Sequence, residues 1–296
     1  MNGVAGAARD AGLSARIAAA ALTSWVLPER FWLPVTHAIG CAAAGVGSGP
    51  PSLPFDPALA GGDAGAARSI AIERIASGHA ARLWGLREYL RPGRNPPIDV
   101  AGMAHIESAL AAKGGAILWV GRFTWASIIT KIGLHQAGCA VTHLSRPTHG
   151  FGTSPFAVRR LNPIWTRIEE RFLRERLVME PGSETATLRA LRRRLENNGL
   201  VSITVGDEGA RTVAVPFLDG RLRLATGPMS LAAACGSPLL PVFTVREPTG
   251  RFLVGIEATL AVPADGARVG REERIAESYA ARLEPWVRRY PGQWLA

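Results

Sequence analysis

Gly206-Asp207-Glu208-Gly209 follows an apolar run over residues 200–205 that reads as a short buried strand. Carboxylates at the carboxyl end of a strand lie where α/β folds hold their ligands, so Asp207 is a candidate proton acceptor; the plain alternative is that it holds a loop or pairs with Arg211. Thr226-Gly227-Pro228 has the form of a helix start, with a hydroxyl at the cap and an early proline, and the free N–H groups of such a start favour anions. Arg189, Arg192, Arg193 and Arg194 line one face of a further helix, either a solvated face or one beside a membrane. Cys41, Cys139 and Cys235 are odd in number and far apart. They show neither a disulfide framework nor metal-ligand spacing, and are read as buried small residues in a reducing compartment. No metal is implied.

The surroundings of these groups bound the partners. Of 296 residues 47% are hydrophobic and 20% charged, the balance of a folded chain. A net charge of +10, nearly all arginine, calls for acidic partners: lipid headgroups, phosphorylated sugars, an acidic carrier protein or nucleic acid. Nucleic acid is set aside because no binding motif or basic-aromatic interleaving accompanies the charge.

The elements that must position these residues follow from periodicity. Residues 17–27 and 31–46 are apolar runs split by Pro28-Glu29-Arg30, and both fall short of the ~20 apolar residues a spanning helix needs. Two short helices are expected, with Trp25, Phe31 and Trp32 at a bilayer interface; the alternative is that both pack on a soluble core. A cleaved signal peptide is disfavoured by Asp10 and by the want of a clear cleavage site. Residues 45–66 read as a loop and 68–90 as a helix stopped by Arg91-Pro-Gly-Arg-Asn-Pro-Pro97.

Strands and helices then alternate: helix 106–112, buried strand 116–120, helix 126–137 and strand 141–144. Ser183 can cap a helix to Asn198 that buries Leu188, Leu191 and Leu195. A helix over 229–235 precedes strands 239–247 and 251–260, a hairpin around Pro248-Thr249-Gly250 that is expected to close the sheet. An amphipathic helix over 271–290 carries Ile275, Tyr279, Leu283 and Val287, with a kink expected at Pro285. The fold class is therefore α/β: a central, mostly parallel mixed sheet flanked by helices, with an N-terminal apolar helical region. The expected domains are 1–50 as a membrane-surface anchor, 51–96 as linker and helix, and 97–296 as the α/β domain.

Gly121-Arg-Phe-Thr-Trp125, Ser145-Arg-Pro147, Pro216-Phe-Leu-Asp-Gly220, Ala225-Thr-Gly-Pro228, Gly236-Ser-Pro-Leu-Leu-Pro-Val-Phe243 and Tyr290-Pro-Gly-Gln-Trp294 stand in an order and spacing that resembles the lipid A late acyltransferases of the lysophospholipid acyltransferase superfamily. That resemblance implies transfer of a fatty acyl group from an acyl carrier protein or coenzyme A thioester to a hydroxyl of a lipid, glycolipid or saccharide. It places the protein on the cytoplasmic face of the inner membrane, with no cofactor beyond the acyl co-substrate. In such proteins a histidine and an acid, four residues between them, follow the first strand, the imidazole taking the hydroxyl proton and the carboxylate orienting it.

Here those positions hold Arg122 and Ser127. A guanidinium does not give up its proton, and a hydroxyl does not anchor an imidazole as a carboxylate does. Two readings follow. Either the base comes from elsewhere, with His143, His149 and Asp207 as candidates, or the protein is a non-catalytic relative that binds lipid or acyl carrier, with Arg122 gripping a phosphate or carboxylate or else salt-bridged to an acidic neighbour. The resemblance also implies that Arg146, Thr226 and Gly227 line a headgroup site and that Phe123 and Trp125 flank the acyl groove; the alternative for both rings is a place in the core.

Overall fold

A computed structural model of the chain describes residues 2–45, 57–93, 96–261 and 268–295. Its strands are β1 (Ile98–Ala101), β2 (Ala116–Val120), β3 (Val141–Ser145), β4 (Glu175–Val178), β5 (Leu200–Thr204), β6 (Thr212–Phe217), β7 (Gly220–Ala225), β8 (Leu239–Arg246) and β9 (Phe252–Ile256). Seven of them form one sheet in the order β1-β9-β8-β2-β5-β3-β4. All neighbours are parallel except the β8–β9 hairpin. Every residue of β2 is buried, because a parallel strand in mid-sheet is covered on both faces and must be apolar throughout.

The hairpin does not close the sheet. Beyond β9 lies β1, a parallel edge strand of alternating burial that follows Pro96-Pro97. Four residues including Asp99 are too few and too polar to register as a strand beforehand. The opposite edge, β4, is partly exposed and begins Glu175-Arg176; charges on an edge discourage pairing with another chain. Because β2, β3, β5 and β8 run the same way, their carboxyl ends share one edge of the sheet.

The helices are α1 (Asn2–Val26), α2 (Trp32–Gly45), α3 (Ala64–Leu90), α4 (Met103–Ala111), α5 (Ala126–Gln136), α6 (Asn162–Glu170), α7 (Glu184–Glu196), α8 (Gly227–Cys235) and α9 (Arg268–Arg289). The N-terminal helix starts well before the apolar run at 17–27, and α3 starts inside the expected loop, where Asp63 caps it by accepting a hydrogen bond from the Gly65 N–H. The rest of that loop, residues 46–56, lies outside the described residues.

Four side-chain expectations change. Trp32 is not at a surface: it is 3% exposed, packs in the core, and donates from Nε1 to the Leu27 carbonyl at 2.9 Å. Leu188 faces outward, and the buried stripe of α7 is Thr187, Leu191 and Leu195, since a strict four-residue spacing keeps to one face. Ser183 does not cap α7; its hydroxyl donates to the Glu180 carbonyl instead. The arginine face of α7 is solvated, with Arg192 on Glu196 and Arg194 on Glu175. All four apolar positions of α9 are buried, each contributing about 1.5–3 kcal/mol, and the helix runs on through Pro285 to Arg289. Only Cys139 of the three cysteines is buried; Cys41 and Cys235 are partly exposed.

Candidate active site

The segment after β2 turns sharply at Gly121, whose N–H donates to the Val242 carbonyl at 2.8 Å. A Cβ there would stand 2.7 Å from the Phe243 ring, so a larger residue would push the turn off the sheet. Phe123 and Trp125 point inward and belong to the core, each 2% exposed. Phe123 meets Phe243 edge-on, Trp125 does the same to Phe252, and the buried Trp125 indole N–H has no acceptor among the described residues. Arg122, just before them, points out. Its side chain is exposed and makes no hydrogen bond or ion pair with any described residue. Ser127 sits in the first turn of α5, and its carbonyl accepts from Lys131 Nζ at 2.6 Å.

The C-terminus holds this segment. The Leu295 N–H donates to the Arg122 carbonyl at 2.7 Å, Trp294 bridges to Phe123, and the Thr124 N–H and hydroxyl both donate to the Gln293 carbonyl. The buried Gln293 amide in turn accepts from the Arg246 N–H and donates to the Arg246 carbonyl, both at 2.8 Å. Sequence reasoning assigned Gln293 no role, although it lies inside Tyr290-Pro-Gly-Gln-Trp294.

Neighbouring strand ends complete the edge. Arg146, just past β3, pairs with the Glu208 carboxylate and also donates to the Glu208 carbonyl, joining the loops after β3 and β5. Asp207 is exposed and unbonded to any described residue; it does not pair with Arg211, which reaches Glu272 at 3.2 Å. Thr226 and Gly227 start α8 at this same edge, for the Ala225 N–H donates to the Gly206 carbonyl at 2.7 Å. Thr226 makes no side-chain cap, so the helix start keeps backbone N–H groups open to an anion.

The two candidate histidines part company. His143 lies within β3, 5% exposed, with Nδ1 2.8 Å from the Ser202 hydroxyl; burial, with Lys131 nearby, holds its pKa well below the ordinary value. It is a packed residue. His149, in the loop after β3, places Nε2 3.0 Å from both carboxylate oxygens of Glu169, a residue of α6 with no exposed surface. Glu169 also takes Lys131 Nζ and Trp165 Nε1, each at 3.0 Å. Burial pushes the Glu169 pKa up, but Lys131 and then His149 outweigh it and bring it to about 2, so the group is a carboxylate at neutral pH. Burial lowers the Lys131 pKa against the pull of Glu169. No sequence motif flagged this cluster, since its members come from α5, α6 and a loop.

Among the described residues no group of three or more His, Cys, Asp or Glu could hold a metal ion. A broad cavity of about 790 Å³ lies at the far, amino edge of the sheet, between α4, the start of α9 and the turn into β8, with His105, Ser108 and Ser237 on its wall. It is remote from the strand ends that carry Arg122 and Arg146.

Fold and site thus define an α/β protein whose carboxyl edge gathers Arg122, the Arg146–Glu208 pair, Asp207 and the start of α8. The sequence profile of the bacterial lipid A biosynthesis acyltransferases matches residues 93–296, and the chain belongs to that family, whose reaction is acyl transfer to a lipid-type acceptor. No curated protein matches the chain. Among solved structures it is similar to the crystal structure of the 1-acyl-sn-glycerophosphate (LPA) acyltransferase PlsC from Thermotoga maritima, with 12% identity over 92% of this chain and 97% of that one and a TM-score of 0.39.

Proposed function

We propose that this protein transfers a fatty acyl group from an acyl carrier protein or coenzyme A thioester to a hydroxyl of a lipid or saccharide acceptor, working from the cytoplasmic face of the inner membrane. The observation that carries the reading is that Arg122, Arg146 and the uncapped helix start at Thr226-Gly227 lie along one sheet edge in a chain of this family. Phosphate groups are common to carrier prosthetic groups, coenzyme A and glycolipid headgroups, and guanidinium forks with backbone N–H donors suit them. Arg122 stands where the family's proton-accepting histidine is expected, so it acts as an anion anchor and the base is supplied elsewhere. Phe123 and Trp125 form the floor under the acyl chain and do not touch the headgroup.

Membrane contact falls to residues 1–50 as an anchor, followed by linker and helix to 96 and the acyltransferase-like domain from 97. Leu22, Trp25, Val26, Phe31, Leu33, Val35 and Ile39 on α1, α2 and their connection are between 38 and 69% exposed, an apolar patch that a bilayer would cover. Arg30 and Arg91 lie over the rings of Phe31 and Trp25, placing charge at headgroup level. No helix among the described residues is long and apolar enough to cross a membrane.

The test is turnover by purified protein with labelled acyl carrier protein and coenzyme A thioesters against lysolipids and lipid A precursors. Product formation supports transfer. Saturable lipid or carrier binding without product supports the second reading, a non-catalytic binder, which the exposed and unpaired Arg122 favours.

A further inference from the structure

Resting on the acyl-transfer reading, we infer that His149 is the proton acceptor and that Glu169, from a different helix, takes the place of the missing motif acid. The geometry is specific. Both Glu169 oxygens lie 3.0 Å from Nε2, and the imidazole is 30% exposed while the carboxylate is sealed from water. An ionised carboxylate only accepts hydrogen bonds, so Nε2 carries a proton, and the tautomer this selects has its lone pair on Nδ1, which makes no hydrogen bond with any described residue.

The frame around this dyad is rigid. Asn162, 2% exposed, accepts from the Phe151 and Gly152 N–H groups and donates to the Gly152 carbonyl, pinning the loop just past His149. Lys131 joins the cluster to the old acid position, with one hydrogen bond to the Ser127 carbonyl and one ion pair to Glu169. The His149 N–H donates to the Arg146 carbonyl, so the base sits one turn from a proposed headgroup ligand. The charged or titratable groups that bear on Glu169 are Lys131 on α5, His149 itself and His143 on β3.

In the step this supports, the acceptor O–H bond breaks and its proton passes to Nδ1 of His149. The acceptor oxygen bonds to the thioester carbonyl carbon, the carbon–sulfur bond breaks with its electron pair on sulfur, and that sulfur takes the proton back to leave as a thiol. His149 is then neutral for the next cycle. Glu169 is a positioning residue: it never meets substrate, but it fixes the tautomer and faces the imidazolium as it forms.

The experiment compares the unaltered full chain with His149→Ala, Glu169→Gln and Glu169→Asp, using palmitoyl carrier protein and palmitoyl coenzyme A as donors and lysophosphatidic acid and a tetra-acylated lipid A precursor as acceptors. The expected result is a loss of about 10²-fold or more in kcat for His149→Ala, part of it restored by added imidazole, which a packing defect would not permit. Glu169→Gln should lower kcat with little change in KM, and Glu169→Asp should recover part of it. Turnover by folded His149→Ala at the unaltered rate overturns this assignment and leaves acyl transfer standing. A kcat loss in His149→Ala that imidazole leaves untouched also overturns it. No turnover by the unaltered chain with any donor–acceptor pair overturns the acyl-transfer reading itself, and this assignment with it.

Discussion

At position 122 a guanidinium points to solvent just past a strand end, while the rings of Phe123 and Trp125 that follow it are buried and, five residues on, Ser127 contributes only its carbonyl, to Lys131. Lys131 and Glu169 show which residues the local structure leans on. Each is nearly or fully buried, and the pair is tolerable only because His149, Trp165 and the Ser127 carbonyl satisfy the remaining groups. Lys131→Met removes one charge and leaves the other uncompensated. Urea unfolding should show a loss of about 3–5 kcal/mol; a loss below about 1 kcal/mol would mean that Glu169 is already balanced by His149. Neither residue stands out in the sequence, because a lysine and a glutamate on separate helices look like any two surface charges until the helices pack.

Among elements, the C-terminal turn and the N-terminal helices carry the sharpest expectations. Gln293 ties the Arg246 backbone to the segment that bears Arg122, so Gln293→Ala strands a partly buried N–H and carbonyl, at about 1 kcal/mol each. Hydrogen exchange should quicken at the amides of Arg246, Thr124 and Leu295 beyond the change elsewhere in the sheet. Uniform quickening would reduce Gln293 to a general stability role. On α1 and its connection to α2, replacing Trp25, Val26 and Phe31 with serine should cut binding to vesicles containing anionic phospholipid at least tenfold with little change in thermal stability, since these side chains already meet water. Retained binding would move the membrane contact elsewhere.

The whole molecule responds to acid through its interior. His143 resists protonation when folded, so below its unfolded value of 6.5 the unfolded chain binds the extra proton and stability falls with pH, by at most about 1.4 kcal/mol per unit. Glu169 adds a second loss as pH falls from 4.5 toward about 2, where its carboxylate is protonated in the folded state as well. Melting temperatures of the natural chain and His143→Gln should therefore diverge between pH 7 and pH 5, the variant falling less steeply. Parallel curves would place the acid sensitivity in other groups.

Much of this architecture is written in local pattern. The apolar runs of β2, β5 and β8, the turn at Pro248-Thr249-Gly250 and the stripe Ile275, Tyr279, Leu283 and Val287 declare an α/β fold because burial on both faces of a strand, or on one face of a helix, demands those periods. Tertiary packing alone decided the rest. It set β1 outside the hairpin, took Trp32 from the surface into the core and sent Arg211 to Glu272. It joined Arg146 to Glu208, sealed His143 inside the sheet, and brought His149 onto Glu169. Those outcomes depend on which helix lies over which strand, and contacts between residues 20 to 154 positions apart leave no period in the sequence.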